Sequence, residues 1–179
     1  MKKIIVTYGL ISGSIIVILS LGTFLFWQDA QHYNNQWLGY LVMIVALSLI
    51  FFGVKSYRDN QLGGVIKFKN ALWVGLGISL VSSVLYTASW EVYFQTSDSD
   101  FMEGYATAYI NDLEEKGATE LEIAAARAEM EKWTDLYKNP LLRIPITFAE
   151  IIPVGIIISL ISAGLLRKSE VLPHSANVS

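Results

Sequence analysis

Cysteine is absent and charge is scarce: Asp, Glu, Lys and Arg make up only 16% of the 179 residues. The first absence excludes disulfides and thiolate chemistry. The second excludes an ordinary soluble domain, which carries about 25% charged residues to cover its surface. A basic surplus is missing too, since the net charge is −3 and the pI near 5.4, so no phosphate-seeking surface of a nucleic-acid binder is expected. Histidine occurs only as His32 and His174, which leaves no paired-histidine metal site. Neither a G-x-S-x-G elbow nor a Walker loop is present. The chain therefore reads as a non-enzyme with no cofactor.

Apolar residues are what the chain has in excess, at 53% with a mean hydropathy of +0.45. They gather into four runs, residues 4–27, 38–54, 71–90 and 146–166, and about 20 apolar residues in a helix cross a hydrocarbon core of roughly 30 Å. The expected fold is all-α, a polytopic membrane protein with four transmembrane helices. Met1-Lys2-Lys3 ahead of the first run is a signal-peptide-like start. The run is nevertheless too long for an h-region and ends in Phe24, Phe26 and Trp27 without an A-x-A site, so it reads as a retained span.

Orientation follows from the basic residues. Lys2, Lys3, Lys55, Arg58, Lys67, Lys69, Arg167 and Lys168 all fall on one side of the four spans, near span ends. The positive-inside bias makes that side cytoplasmic, with both termini on it. Asn60 to Lys67, with the pair Gly63-Gly64, reads as a turn between spans two and three, and Lys55, Arg58, Lys67 and Lys69 are expected to meet anionic lipid. The opposite side receives a short link and a long acidic segment, in which Asp98 to Lys138 holds eleven acidic residues against four basic ones. Trp27, Tyr33, Trp37, Trp90, Tyr93 and Phe94 mark the outer interface.

Residues 97–139 are expected to form an extracytoplasmic helical hairpin inserted between spans three and four. Ser97 or Asp98 is placed to cap the first helix, and Lys116-Gly117 to stop it. Thr119 and Glu122 fit the capping box of the second, which ends at Asn139-Pro140. Phe101, Tyr105 and Tyr109 recur every four residues and share a face. That stripe either packs on the second helix or serves as a partner face. Asp98, Asp100 and Glu103 lack the remaining ligands of a calcium loop and read as capping carboxylates.

Inside the membrane, Glu150 is the informative residue. An ionised group there costs a few kcal/mol, so it must be protonated or compensated. Pro153 frees a backbone carbonyl nearby. Glu150 and Pro153, together with Glu91 and Arg143, make up a candidate intramembrane polar site, in which Glu150 is either ion- or proton-sensitive or, more plainly, a packing contact. Glu91 stands at the outer end of span three. Arg143 precedes span four within reach of Glu91, while a link to Glu150 is disfavoured by about 10 Å of helix. Gly9-x-x-x-Gly13, the group Gly75, Gly77 and Ser79, and Gly155-x-x-x-Ser159-x-x-x-Ala163 allow close helix contacts, expected within one subunit.

The stretches KSYRDNQLGGVIKFKNALWVGLGISLVSS and NPLLRIPITFAEIIPVGIIISLISAGLLRK resemble the two signature regions of a bacterial four-span membrane family, domain of unknown function 4199, found mainly in the Bacteroidetes lineage. The resemblance runs from Tyr8-Gly9-Leu10-Ile11-Ser12-Gly13 to Lys168 and includes the acidic insert. It is most specific around Phe148, Glu150, Pro153, Gly155, Ser159 and Ala163. It implies four spans and an inner-membrane location, and it carries over no activity. The leading expectation is a non-enzymatic membrane component whose partners are the lipid bilayer and either a second copy or another membrane protein. The alternative is a small oligomeric ion- or proton-coupled transporter or channel subunit using Glu150.

Overall fold

The structure is a computed structural model and describes residues 1–26, 36–96, 101–168 and 171–172. The expected caps Ser97 and Asp98, the interface residues Trp27 and Tyr33, and both histidines lie outside the described residues. Seven helices are described: α1 (Lys2–Phe26), α2 (Gln36–Leu47), α3 (Leu49–Leu62), α4 (Phe68–Thr96), α5 (Phe101–Glu115), α6 (Glu120–Lys138) and α7 (Pro140–Leu166). Only Ser48 separates α2 from α3. Its hydroxyl donates to the Val45 carbonyl at 2.6 Å, and its backbone stays right-handed helical (φ −57°, ψ −22°), so the two helices form one continuous span. Four helical stretches are therefore long and apolar enough to cross a membrane: Lys2–Ser20, Trp37–Leu62, Phe68–Thr96 and Pro140–Leu166. The molecule is an all-α, multi-pass membrane protein.

The helices outrun the apolar segments that define them. Span two continues as helix through Lys55, Arg58 and Asp59 to Leu62. Span four starts at Pro140 rather than at residue 146, because Asn139 caps it by accepting from the Leu141 N–H at 3.0 Å, and Pro140 fits the first helical turn.

Helix α4 lies between α1 and α7, and the α2–α3 span packs against all three. Lipid tails are as apolar as the side chains, so close backbone approach rather than exclusion of water holds such helices together. On one flank of α4, Gly9 and Gly13 of α1 let the helices meet: a Cβ on Gly9 would lie 2.5 Å from the Cβ of Val81. Ser82 donates across the same contact to the Gly9 carbonyl at 3.0 Å. On the other flank, Gly75 faces Ser159 and Gly155 faces Ser79. The small residues expected to mediate contacts thus do so within one chain. Ile16, Leu47, Ile50, Val54, Ile78 and Ile151 fill the interior with no exposed surface.

One end of the bundle collects the basic residues. The Met1 amino group donates to Gln61 Oε1 at 2.7 Å. Gly63 ends α3 in the left-handed region at φ 65°, which glycine adopts without steric cost, and the chain turns into α4 as expected. Arg58 departs from expectation. It does not face lipid; it is fully buried. Its Nε donates to Asp59 Oδ1 at 2.7 Å, Nη1 to the Val171 carbonyl at 2.9 Å and Nη2 to the Leu172 carbonyl at 2.5 Å. Lys55 pairs with the other oxygen of Asp59 at 2.5 Å, leaving Lys67 and Lys69 as the exposed cations of this loop. A planar guanidinium serves several acceptors at once, which explains why the position is arginine. Arg58→Ala should therefore release the segment after α7. Trypsin cleavage at Arg167 and Lys168 of the purified protein should become several-fold faster, and an unchanged digestion rate would refute the clamp.

The hairpin at the other end follows its local signals. Gly117 adopts φ 77°, and the N–H groups of Gly117 and Ala118 close back on the Glu114 and Leu113 carbonyls, both at 3.0 Å, which is a Schellman stop. Thr119 and Glu122 then form the reciprocal capping box. The Thr119 N–H and hydroxyl together hold the Glu122 carboxyl below its usual range.

Candidate functional site

The acidic hairpin is seated on the bundle through a clasp. Helix α6 ends at Lys138 and α7 begins at Pro140, and the single residue between them, Asn139, is extended (φ −92°, ψ 112°), so the helix breaks there. Arg143 sits at that corner, almost fully buried. Its Nε donates to Glu91 Oε2 at 2.9 Å, its Nη2 to Glu91 Oε1, and its Nη1 to the Tyr137 carbonyl at 2.7 Å. The guanidinium carbon stands 3.9 Å from the centre of the Phe94 ring. Three groups thus converge on one cation: a bidentate carboxylate from α4, a helix-terminal carbonyl from α6, and an aromatic face from α4. Glu91 also accepts from Gln95 Nε2 at 2.8 Å.

Arg143 and Glu91 are therefore brought together, and Glu150 stands apart from both. Glu150 lies on the exposed side of α7 with Pro153 and Ile157, seven residues or about 10 Å along the helix from Arg143. Tyr137 lies close enough to hydrogen-bond its carboxyl, and Tyr86 of α4 lies within electrostatic reach of it. Burial, and next the neighbouring Glu150 carboxylate, push the Tyr137 phenol up to about 12. The phenol thus keeps its proton at neutral pH and can donate to Glu150. By its spacing from Met130 and Trp133, Tyr137 falls on the apolar face of its helix. The local signal for its second role is Asn139-Pro140, which breaks the helix just after residue 137.

The aromatic stripe is divided. Phe101 stacks edge-on against Trp90 at 4.9 Å, and Tyr105 lies behind it at 6.5 Å. Tyr86 continues the column down α4, 6.5 Å from Trp90. The membrane-proximal part of the candidate partner face thus packs α5 onto the end of α4, and Phe101, Tyr105 and Tyr109 are all half-buried. Between α5 and α6 the contact is made by other residues, with Met102, Ala108, Ile110, Ala126 and Met130 buried.

A four-span helical bundle with small-residue seams, a charged clasp at one end and a helical hairpin beside it defines a class of integral membrane protein. Within that class the chain has a family. Residues 7–168 match the model described as Protein of unknown function (DUF4199), and the chain belongs to that family. No curated protein and no solved structure matches the chain.

Proposed function

We propose that this protein is a non-enzymatic component of the bacterial inner membrane, with both termini cytoplasmic and the acidic hairpin outside, that holds another membrane-spanning helix against α7. The basic residues gathered at the Met1 end support the orientation, through the positive-inside bias. The observation that carries the partner reading is the outward placement of Glu150 at membrane depth. A carboxyl left against hydrocarbon costs a few kcal/mol, and Tyr137 supplies one hydrogen-bond donor where a carboxylate accepts several. A helix from a second copy or from another protein, laid along Glu150, Pro153 and Ile157, completes its polar contacts and excludes lipid.

Because the chain has no cysteine, Ile157→Cys introduces a unique thiol on that face. In native membranes, a thiol-directed crosslinker at this position should capture one discrete neighbour, and adding Glu150→Leu should remove the adduct while Glu150→Gln keeps it. Absence of any adduct, or one indifferent to Glu150→Leu, would count against the reading. The transport reading requires a path between subunits lined by Glu150, since Ile16, Ile50, Ile78 and Ile151 pack the interior of a single bundle. It is tested by a pH-dependent flux in liposomes that Glu150→Gln abolishes.

A further inference from the structure

The hairpin is unfinished as a folding unit. Two helices bury little apolar area by themselves, and a cleft of about 810 Å³ lies between α5 and α6 beside the end of α4. Its floor is apolar: Met102, Ala106 and Ile110 from α5, Met130 from α6, and Phe94 from the end of α4. Met102, Ala106 and Ile110 follow at four-residue steps over about 12 Å, and the α6 wall from Arg127 to Lys138 is about 16 Å long. Those dimensions suit two to three turns of a third helix, and the two methionines give a floor that adapts its shape to the side chains it meets.

The charge on the lips decides what kind of helix fits. On α6, Arg127 is engaged by Glu114 at 3.3 Å and Lys138 by Asp135 at 2.8 Å. Asp135 draws the Lys138 ammonium pKa upward, so that pair stays charged at neutral pH. The remaining lip carboxylates, Glu103 on α5 and Glu131 on α6, are exposed and have no ion-pair partner among the described residues. They stand on opposite sides of the apolar floor. The hairpin as a whole, residues 101–138, carries nine acidic side chains against four basic ones, so a second copy of the hairpin is repelled from the cleft.

We infer that the cleft between α5 and α6 is a docking groove for a cationic amphipathic helix of a partner protein, whose apolar stripe seats on Met102, Ala106, Ile110 and Met130 while basic residues on both flanks meet Glu103 and Glu131. This extends the partner-holding reading to a different face of the molecule. It does not pass through Glu150, so the two fail separately.

The test uses the full chain in zwitterionic nanodiscs and three labelled peptides. One is a helix with a leucine stripe flanked by lysines, one the same stripe flanked by glutamates, and one a scramble of the lysine peptide that keeps its charge and loses the stripe. The lysine peptide should bind at least about tenfold more tightly than either control and weaken with added salt. Ala106→Trp, which fills the floor, should abolish binding. Glu103→Lys with Glu131→Lys should transfer the preference to the glutamate peptide, and Glu150→Leu should leave all three affinities unchanged. Helical content and melting temperature of each variant confirm that these surface changes leave the fold intact. Equal binding of the lysine peptide and its scramble, or binding that survives both groove variants, overturns the inference. A photo-crosslinker at Thr107, on the same lip, reads the occupant in intact cells. A captured peptide with a basic-flanked apolar stripe supports the groove, whereas capture of a second copy of this chain, or of lipid alone, overturns it.

Discussion

Gly155→Leu is expected to prevent α7 from packing on α4, and Gly155→Ala to destabilise the bundle by about 1–3 kcal/mol, the usual cost of overpacking a filled interior. A Cβ at Gly155 would lie 1.8 Å from Ser79 Oγ and 2.7 Å from Ser79 Cβ. The hydroxyl can rotate away, but the Cβ is fixed to the α4 backbone, so the helices must separate. Two controls make the cause specific. Gly164, two turns further along the same helix, has nothing within 4 Å of an added Cβ, and Gly164→Ala should be nearly neutral. Ser79→Gly in the Gly155→Ala background restores one small residue to the contact and should recover most of the loss. Unfolding midpoints in mixed micelles measure each step. A Gly155→Ala midpoint equal to that of Gly164→Ala would show that the contact is not as tight as described.

Arg143→Ala should cost about 3 kcal/mol, the lower end of what is lost when one partner of a buried ion pair is removed. The side chains of Arg143 and Glu91 are 4% and 16% exposed, so the abandoned carboxylate is poorly reached by water. The Tyr137 carbonyl loses its donor at the same time. Arg143→Lys should recover less than half, because a point charge cannot hold both carboxylate oxygens and the carbonyl together. A double-mutant cycle with Glu91→Gln isolates the pair. Additive losses within about 0.5 kcal/mol would mean that the two residues do not act together.

Much of this architecture is legible in the sequence because it is local. Four apolar runs become four spans, Gly117 stops a helix because its φ is positive, and Thr119 with Glu122 starts the next because each satisfies the other's backbone. The reach from Arg143 to Glu91 is likewise foreseeable, since both stand at outer span ends. What is not legible depends on distant parts of the chain. Arg58 has the look of an interfacial cation, and only the return of Val171 and Leu172 to its donors buries it. Tyr137 fits the apolar face of α6, and only the break at Asn139 between α6 and α7 sets it beside Glu150. Small-residue spacing marks Gly75 and Gly155 as contact points, but nothing local says which helix each one meets.

The contacts between α4 and α7 have a further consequence for how the pair finds its alignment. Gly75 meets Ser159, Ser79 meets Gly155 and Glu91 meets Arg143, so every four-residue step along α4 is matched by a four-residue step back along α7. Sliding one helix by a single turn in one direction would still set small residues against small residues, with Gly75 opposite Ala163, Ser79 opposite Ser159 and Ser83 opposite Gly155. The seam alone is therefore degenerate, like a ruler with identical divisions. The ion pair is a mark on it that does not repeat: that slip sets Glu91 opposite Thr147 and Arg143 opposite Gln95. On this geometry the clasp beneath the hairpin selects one alignment of two helices that would otherwise interlock in several.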